Sequence, residues 1–148
     1  MLLVLSIWPA VRSEQTNSSM YFIEEPEAHL FPTSQSRIVS LLSQILTLNN
    51  TNLFITSHSP YILSAFNNLI LAHDKIAEES ITLAEFQKIN GTCFPISFED
   101  VSAYTISEGV TESIADSDYR MIGGDILDSV SEHFEKVMNA LLTCEGKK

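Results

Sequence analysis

Glu24 and Glu25 are adjacent carboxylates at the end of an apolar run, Met20-Tyr-Phe-Ile23, and Pro26 follows at once. Carboxylate oxygens are the donors that a hard divalent cation takes, and a carboxylate can also draw a proton from water. Glu27 and His29 come next, and His58 stands in Leu53-Phe-Ile-Thr-Ser-His-Ser-Pro60, a second apolar run that ends in polar residues. Carboxylates and imidazoles together suit transition metals, so Glu24, Glu25, Glu27, His29 and His58 form a candidate ligand set for a metal-dependent hydrolase. Against it, the chain has no H-E-x-x-H pair and Pro26 interrupts the run. Ser57 and Ser59 lack the G-x-S-x-G frame of a serine nucleophile.

These residues need elements to place them. Met20 to Glu24 and Leu53 to Ser57 read as strands. Between them, Ser34 to Leu48 carries apolar residues at Ile38, Leu41, Leu42, Ile45 and Leu46, the period of a helix that covers a sheet. In a parallel strand, helix, strand unit, ligands bind where the strands end, which puts Glu24, Glu25 and His58 at one edge. Neighbours in a strand point to opposite faces, so the chain must turn at Glu25 if both carboxylates are to serve one site. Pro26 enforces the exit from the strand.

The chain runs in the order apolar strand, Glu24-Glu-Pro-Glu27, then His29-Leu-x-Pro32. It is similar to the Walker B motif and D-loop of ABC-type ATPases, and among them to the RecF/SMC/OLD-like group, which includes small ATPases of bacterial anti-phage systems. Leu53 to Pro60 resembles the switch-histidine loop of that group, and the resemblance covers roughly residues 1–142. It implies an α/β, P-loop NTPase-like fold, a mostly parallel sheet flanked by helices, with residues 1–148 as the carboxyl-terminal lobe of the ATPase domain. It also implies roles. Glu24 would hold Mg²⁺ through its water shell, Glu25 would orient and deprotonate the water that attacks the γ-phosphate of ATP, and His58 would donate to that phosphate. Glu27 and His29 would lie in a segment that helps form a homodimer through the nucleotide site. In that group the signature motif precedes a helix that residues 2–14 would match, and the phosphate loop lies further upstream. No G-x-x-x-x-G-K-[ST] occurs here, since none of Gly91, Gly109, Gly123, Gly124 and Gly146 is followed by Lys and then Ser or Thr. The resemblance therefore implies ATP binding and hydrolysis in company with an amino-terminal lobe, the chain alone being inactive, with an effector protein as a further partner. A non-catalytic interaction module remains the alternative from another class.

Composition narrows the partners. Nineteen acidic against eight basic side chains give a net charge of −11, and the basic residues are scattered, which argues against a nonspecific grip on nucleic acid. A hydrophobic content of 45% in 148 residues is enough for one core. Cys93 and Cys144 lack metal-ligand spacing and read as free thiols of a reducing, cytoplasmic compartment. The apolar opening lacks the basic start of a signal peptide, and no run approaches the ~20 residues of a membrane span.

The remaining expectations are structural. Residues 2–14 form a helix that Pro9 ends or kinks. Ser59 and Pro60 start a second helix that runs to about Phe66, where Asn67-Asn68 break it, and Leu69 to Ala72 form a third short strand. The Lys75 to Ile89 region is partly helical. Val101 to Ile106 is an antiparallel strand at a sheet edge, turned by Glu108-Gly109. Asp125 caps a terminal helix with Leu127, Val130, Phe134, Val137 and Leu141 on one face. Trp8, Phe22, Phe54 and Phe134 are expected in the core.

Overall fold

Thr51–Ser57 alternates strictly: Thr51, Leu53, Ile55 and Ser57 are buried, and the residues between them are half-buried. A computed structural model describes residues 2–8, 19–47 and 51–123. Its strands are β1 (Leu2–Ile7), β2 (Ser19–Glu24), β3 (Thr51–Ser57), β4 (Val101–Ser107) and β5 (Val110–Ser113), with a small ribbon of β6 (Ala115–Asp116) and β7 (Met121–Ile122). The helices are α1 (Pro32–Leu46), α2 (Pro60–Ala77) and α3 (Leu83–Asn90). The five-stranded sheet runs β2-β3-β1-β4-β5.

The fold is α/β with a mixed sheet flanked by helices, consistent with a fragment of a P-loop NTPase-like fold. Its parallel pairing is β2 with β3, in the register Glu24 to Thr56, while β1–β3, β1–β4 and β4–β5 are antiparallel. The helices lie over the face that carries Leu3, Leu5, Ile7, Leu53, Ile55, Val101 and Ala103, and all of these join one core with Val39 and Leu42 of α1, the apolar stripe of α2, and Phe86 of α3.

Four expectations are corrected. Residues 2–7 form a strand, not the start of a helix; residues 9–14 lie outside the described residues. An all-apolar run such as Leu2-Leu-Val-Leu5 has no period to choose between helix and strand. The choice falls to pairing, for β1 lies between β3 and β4 and buries Leu3, Leu5 and Ile7 almost completely, each worth about 1.5–3 kcal/mol.

The second correction concerns Asn67-Asn68, which do not end the helix; α2 continues to Ala77 and absorbs the expected strand Leu69 to Ala72. Ile62, Leu63, Phe66, Leu69 and Ile70 form one continuous buried stripe at helical spacing. The Asn67 amide donates to the Ile122 carbonyl and accepts from the Ile122 N–H, both at 2.8 Å, so it pairs a buried backbone instead of competing with its own helix.

Third, β4 is not at the edge, because β5 lies outside it. The turn itself is as expected: Glu108 and Gly109 both take positive φ, 53° and 80°, as a two-residue hairpin of this twist requires. Fourth, Phe22 and Trp8 are 72% and 52% exposed and not core. Phe22 pairs with Phe54 across β2 and β3, their rings 5.4 Å apart, on the face of the sheet opposite Leu53 and Ile55. The terminal helix from Asp125, with Phe134, and Cys144 lie outside the described residues.

Local signals explain the remaining boundaries. Ser59 caps α2, accepting from the Tyr61 N–H at 3.2 Å, with Pro60 in the first turn. Thr82 and Glu85 form a reciprocal capping box that starts α3. Cys93 is a buried free thiol whose pKa is pushed up by that burial, which disfavours the thiolate. Arg120 lies over the Phe98 ring at 5.3 Å, and its Nε and Nη2 meet both Asp74 oxygens at 2.7 and 2.9 Å. The same guanidinium pairs with Glu99, fastening the β6–β7 ribbon to α2 and to the turn before β4. Hydrogen bonding to Arg120, with help from Ser97, holds the Glu99 carboxyl down at about 2, and Arg120 holds Asp74 below its usual range as well.

Two outcomes are expected. Asn67→Ala strands both backbone groups of Ile122 and should lower the urea unfolding free energy by about 2–4 kcal/mol; an unchanged midpoint and slope would mean that water replaces the amide without loss. For the ion cluster, both carboxylates are depressed in the folded chain, so the Glu99 contribution is present above its unfolded value of 4.5 and is lost as pH falls toward about 2, and that of Asp74 is lost in the same direction. Acid unfolding of Arg120→Met should therefore show a shallower loss of stability over that window than the parent, and parallel profiles would contradict the assignment.

Candidate functional site

The parallel register brings the carboxyl ends of β2 and β3 to the same edge. Glu24 is the last residue of β2, opposite Thr56, and the Glu25 N–H still donates to the Thr56 carbonyl at 2.9 Å. The chain then turns as the two adjacent carboxylates require: Glu25 has φ 41°, a left-handed conformation uncommon outside glycine. Pro26 occupies the second position of a tight turn closed by the Ala28 N–H on the Glu25 carbonyl at 2.9 Å. A second turn follows through His29, φ 64°, closed by the Leu30 N–H on the Glu27 carbonyl. Pro32 then opens α1.

Glu25 and His58 meet. The Glu25 Oε1 lies 3.2 Å from the His58 Nε2, and both side chains are about half exposed. A carboxylate on one ring nitrogen orients the imidazole. Glu24 is exposed and lines a shallow hollow with Phe22, Ile23, Phe54 and Thr56. His29 is exposed. Among the described residues, no three His, Cys, Asp or Glu side chains converge as metal ligands, so the five-residue donor set of a transition-metal hydrolase is not assembled.

Glu27 takes a different path. It is 8% exposed, and its Oε1 accepts from the Ser57 hydroxyl at 2.6 Å and from the His58 N–H at 3.0 Å. The Ser57 hydroxyl oxygen in turn accepts from the Ser59 N–H at 3.0 Å. The Ser59 hydroxyl donates to the Gln35 Oε1 at 2.5 Å, and the Gln35 Nε2 donates to the Leu30 carbonyl at 3.1 Å. Glu27, Gln35, Ser57 and Ser59 are all buried, and together they tie the loop after β3 to the loop before α1. Both serine hydroxyls are committed to this network.

Glu24, Glu25 and His58 stand out in the sequence, whereas Ser57, Ser59 and Gln35 do not stand out as supports, and Glu27 reads there as an interface residue or a metal ligand and not as a buried anchor. A signal for them exists. Ser57 continues the inward period of Leu53 and Ile55, and Gln35 stands one helical turn before Val39 on the buried stripe of α1. Polar side chains at inward positions demand partners, although nothing in the sequence says which.

Comparison with known proteins bears on this segment. No curated protein sequence and no solved structure matches the chain. A family described as an AAA ATPase domain matches residues 1–63, a span that holds β2, the double turn, α1, β3, His58 and the first turn of α2.

Proposed function

We propose that the chain takes part in ATP binding and hydrolysis as the carboxyl-terminal lobe of a larger ATPase of the ABC-type, RecF/SMC/OLD-like group. The observation that carries the reading is the contact of Glu25 with His58 at the common edge of the parallel strands β2 and β3. The AAA ATPase match over the same residues supports ATPase chemistry in general.

In this reading Glu25 orients the attacking water and takes its proton, and His58 donates to the phosphate as charge builds on it. Glu24 offers an exposed carboxylate one residue away at the strand end, and the oxygen donors of Glu24 and Glu25 fit a hydrated magnesium ion. Magnesium, when bound, supplies neutralisation of phosphate charge. Backbone amides and the lysine that cradle the triphosphate would come from the amino-terminal lobe. The exposed turn through His29 would then face a second copy across the nucleotide. The chain's own part is positioning, which is most of what phosphoryl transfer requires.

In the complete ATPase, Glu25→Gln should keep ATP binding, cut turnover by roughly 10²- to 10⁴-fold, and accumulate as an ATP-held dimer in size-exclusion chromatography. Glu24→Gln should instead weaken the magnesium-dependent part of binding in calorimetry. Parent-rate turnover by Glu25→Gln at saturating nucleotide would remove Glu25 as the base and leave the ATPase reading without its main support.

A further inference from the structure

We propose that Glu27 is the positioning residue of this site, holding the loop between β3 and α2 so that the His58 imidazole stays against Glu25. The purpose of the held imidazole rests on the ATPase reading; the hold itself does not.

Glu27 Oε1 takes two donors, the Ser57 hydroxyl and the His58 N–H, and these belong to the last residue of β3 and to the histidine itself. Glu25 touches the other end of the same histidine, its ring. The two glutamates are fixed to one another by the tight turn that the Ala28 N–H closes on the Glu25 carbonyl. One turn therefore grips His58 at two points, the backbone through Glu27 and the imidazole through Glu25. Both contacts act on a half-exposed histidine in the loop that follows a strand end.

Stability alone accounts poorly for this carboxylate. Its Oε2 is buried without a hydrogen-bond partner, a state that costs free energy and that an apolar side chain of similar size would avoid. The loop gains what an apolar residue cannot give, an acceptor for the His58 N–H. Ser57 extends the hold, because its hydroxyl donates to Glu27 and accepts from the Ser59 N–H, so that the strand end and the next two residues are pinned from one carboxylate. Glu27 touches no reacting group in this account and acts through His58.

The test is amide hydrogen exchange by NMR on the 148-residue chain, comparing the parent with Glu27→Gln and Glu27→Leu, with Ile55 of β3 and Leu63 of α2 as internal references. Loss of both accepted bonds in Glu27→Leu should speed exchange at His58 at least about tenfold, and Glu27→Gln, which keeps an oxygen but loses the charge assistance, about three- to fivefold. Ile55 and Leu63 should keep their parent rates, and cross-peaks between the His58 ring and the Glu25 side chain should weaken in the same order. Should Glu27→Leu fail to fold, Glu27→Gln decides. Parent-rate exchange at His58, or an equal rise at His58, Ile55 and Leu63 as from a merely structural role, overturns the proposal. No nucleotide enters the measurement, so a failure of the ATPase reading leaves its answer intact.

Discussion

The parallel pairing of β2 with β3 is the constraint on which the rest depends. Among the described residues it is an edge pairing, with β3 the one strand beside β2, and its register runs from Ser19 opposite Thr51 to Glu24 opposite Thr56. Side chains alternate along each strand, so a slip of one residue would exchange the faces of the whole segment. Ile23 would leave the core and Glu24 would turn toward it. The register also aligns the strand ends, and that alignment lets a carboxylate following β2 meet an imidazole following β3. Burial of Leu53 and Ile55 under α1 and α2 protects the register, since β3 cannot slide without exposing them.

A second layer of order is polar. Apolar packing brings β3 to a stop at Ser57 but does not say where the next residues go, and the loop is fixed by Glu27, Ser57, Ser59 and Gln35 bonding to each other and to backbone. Buried hydrogen bonds are directional where apolar contact is not, so they specify one loop geometry among several that the core would accept. The Arg120 cluster does a similar service at a distance, holding the β6–β7 ribbon on α2 beside the Asn67 amide that pairs with Ile122.

What could be read from the sequence followed from how local each determinant is. The strands at Met20 and Leu53, the helix between them, and the cap at Ser59 announce themselves through period and through single residues with one meaning. The turn at Glu25 was legible too, because two adjacent carboxylates before a proline can serve one site only if the strand ends there. Residues 2–7 were not legible, as unbroken apolar residues fit either element and the decision lay with β3 and β4, about fifty and a hundred residues on. Asn67 looked like a breaker because its partner, Ile122, is 55 positions away. Glu27 gave no local sign of facing inward, since the groups that draw it in, Ser57 and His58, lie about thirty residues downstream. Arg120 looked like one more scattered charge until folding set Asp74 and Glu99 on either side of it.

The central claim is that Glu25 and His58 work as one unit on one phosphate, and a double-substitution cycle addresses it directly. Single-turnover ATP hydrolysis by the complete ATPase would be followed in the parent, in Glu25→Gln, in His58→Ala and in the pair together. Residues that act as a unit lose little more when both are removed than when the more important one is. The account predicts that the double variant hydrolyses ATP within about threefold of the slower single variant. Losses that multiply, as for independent sites, would contradict it.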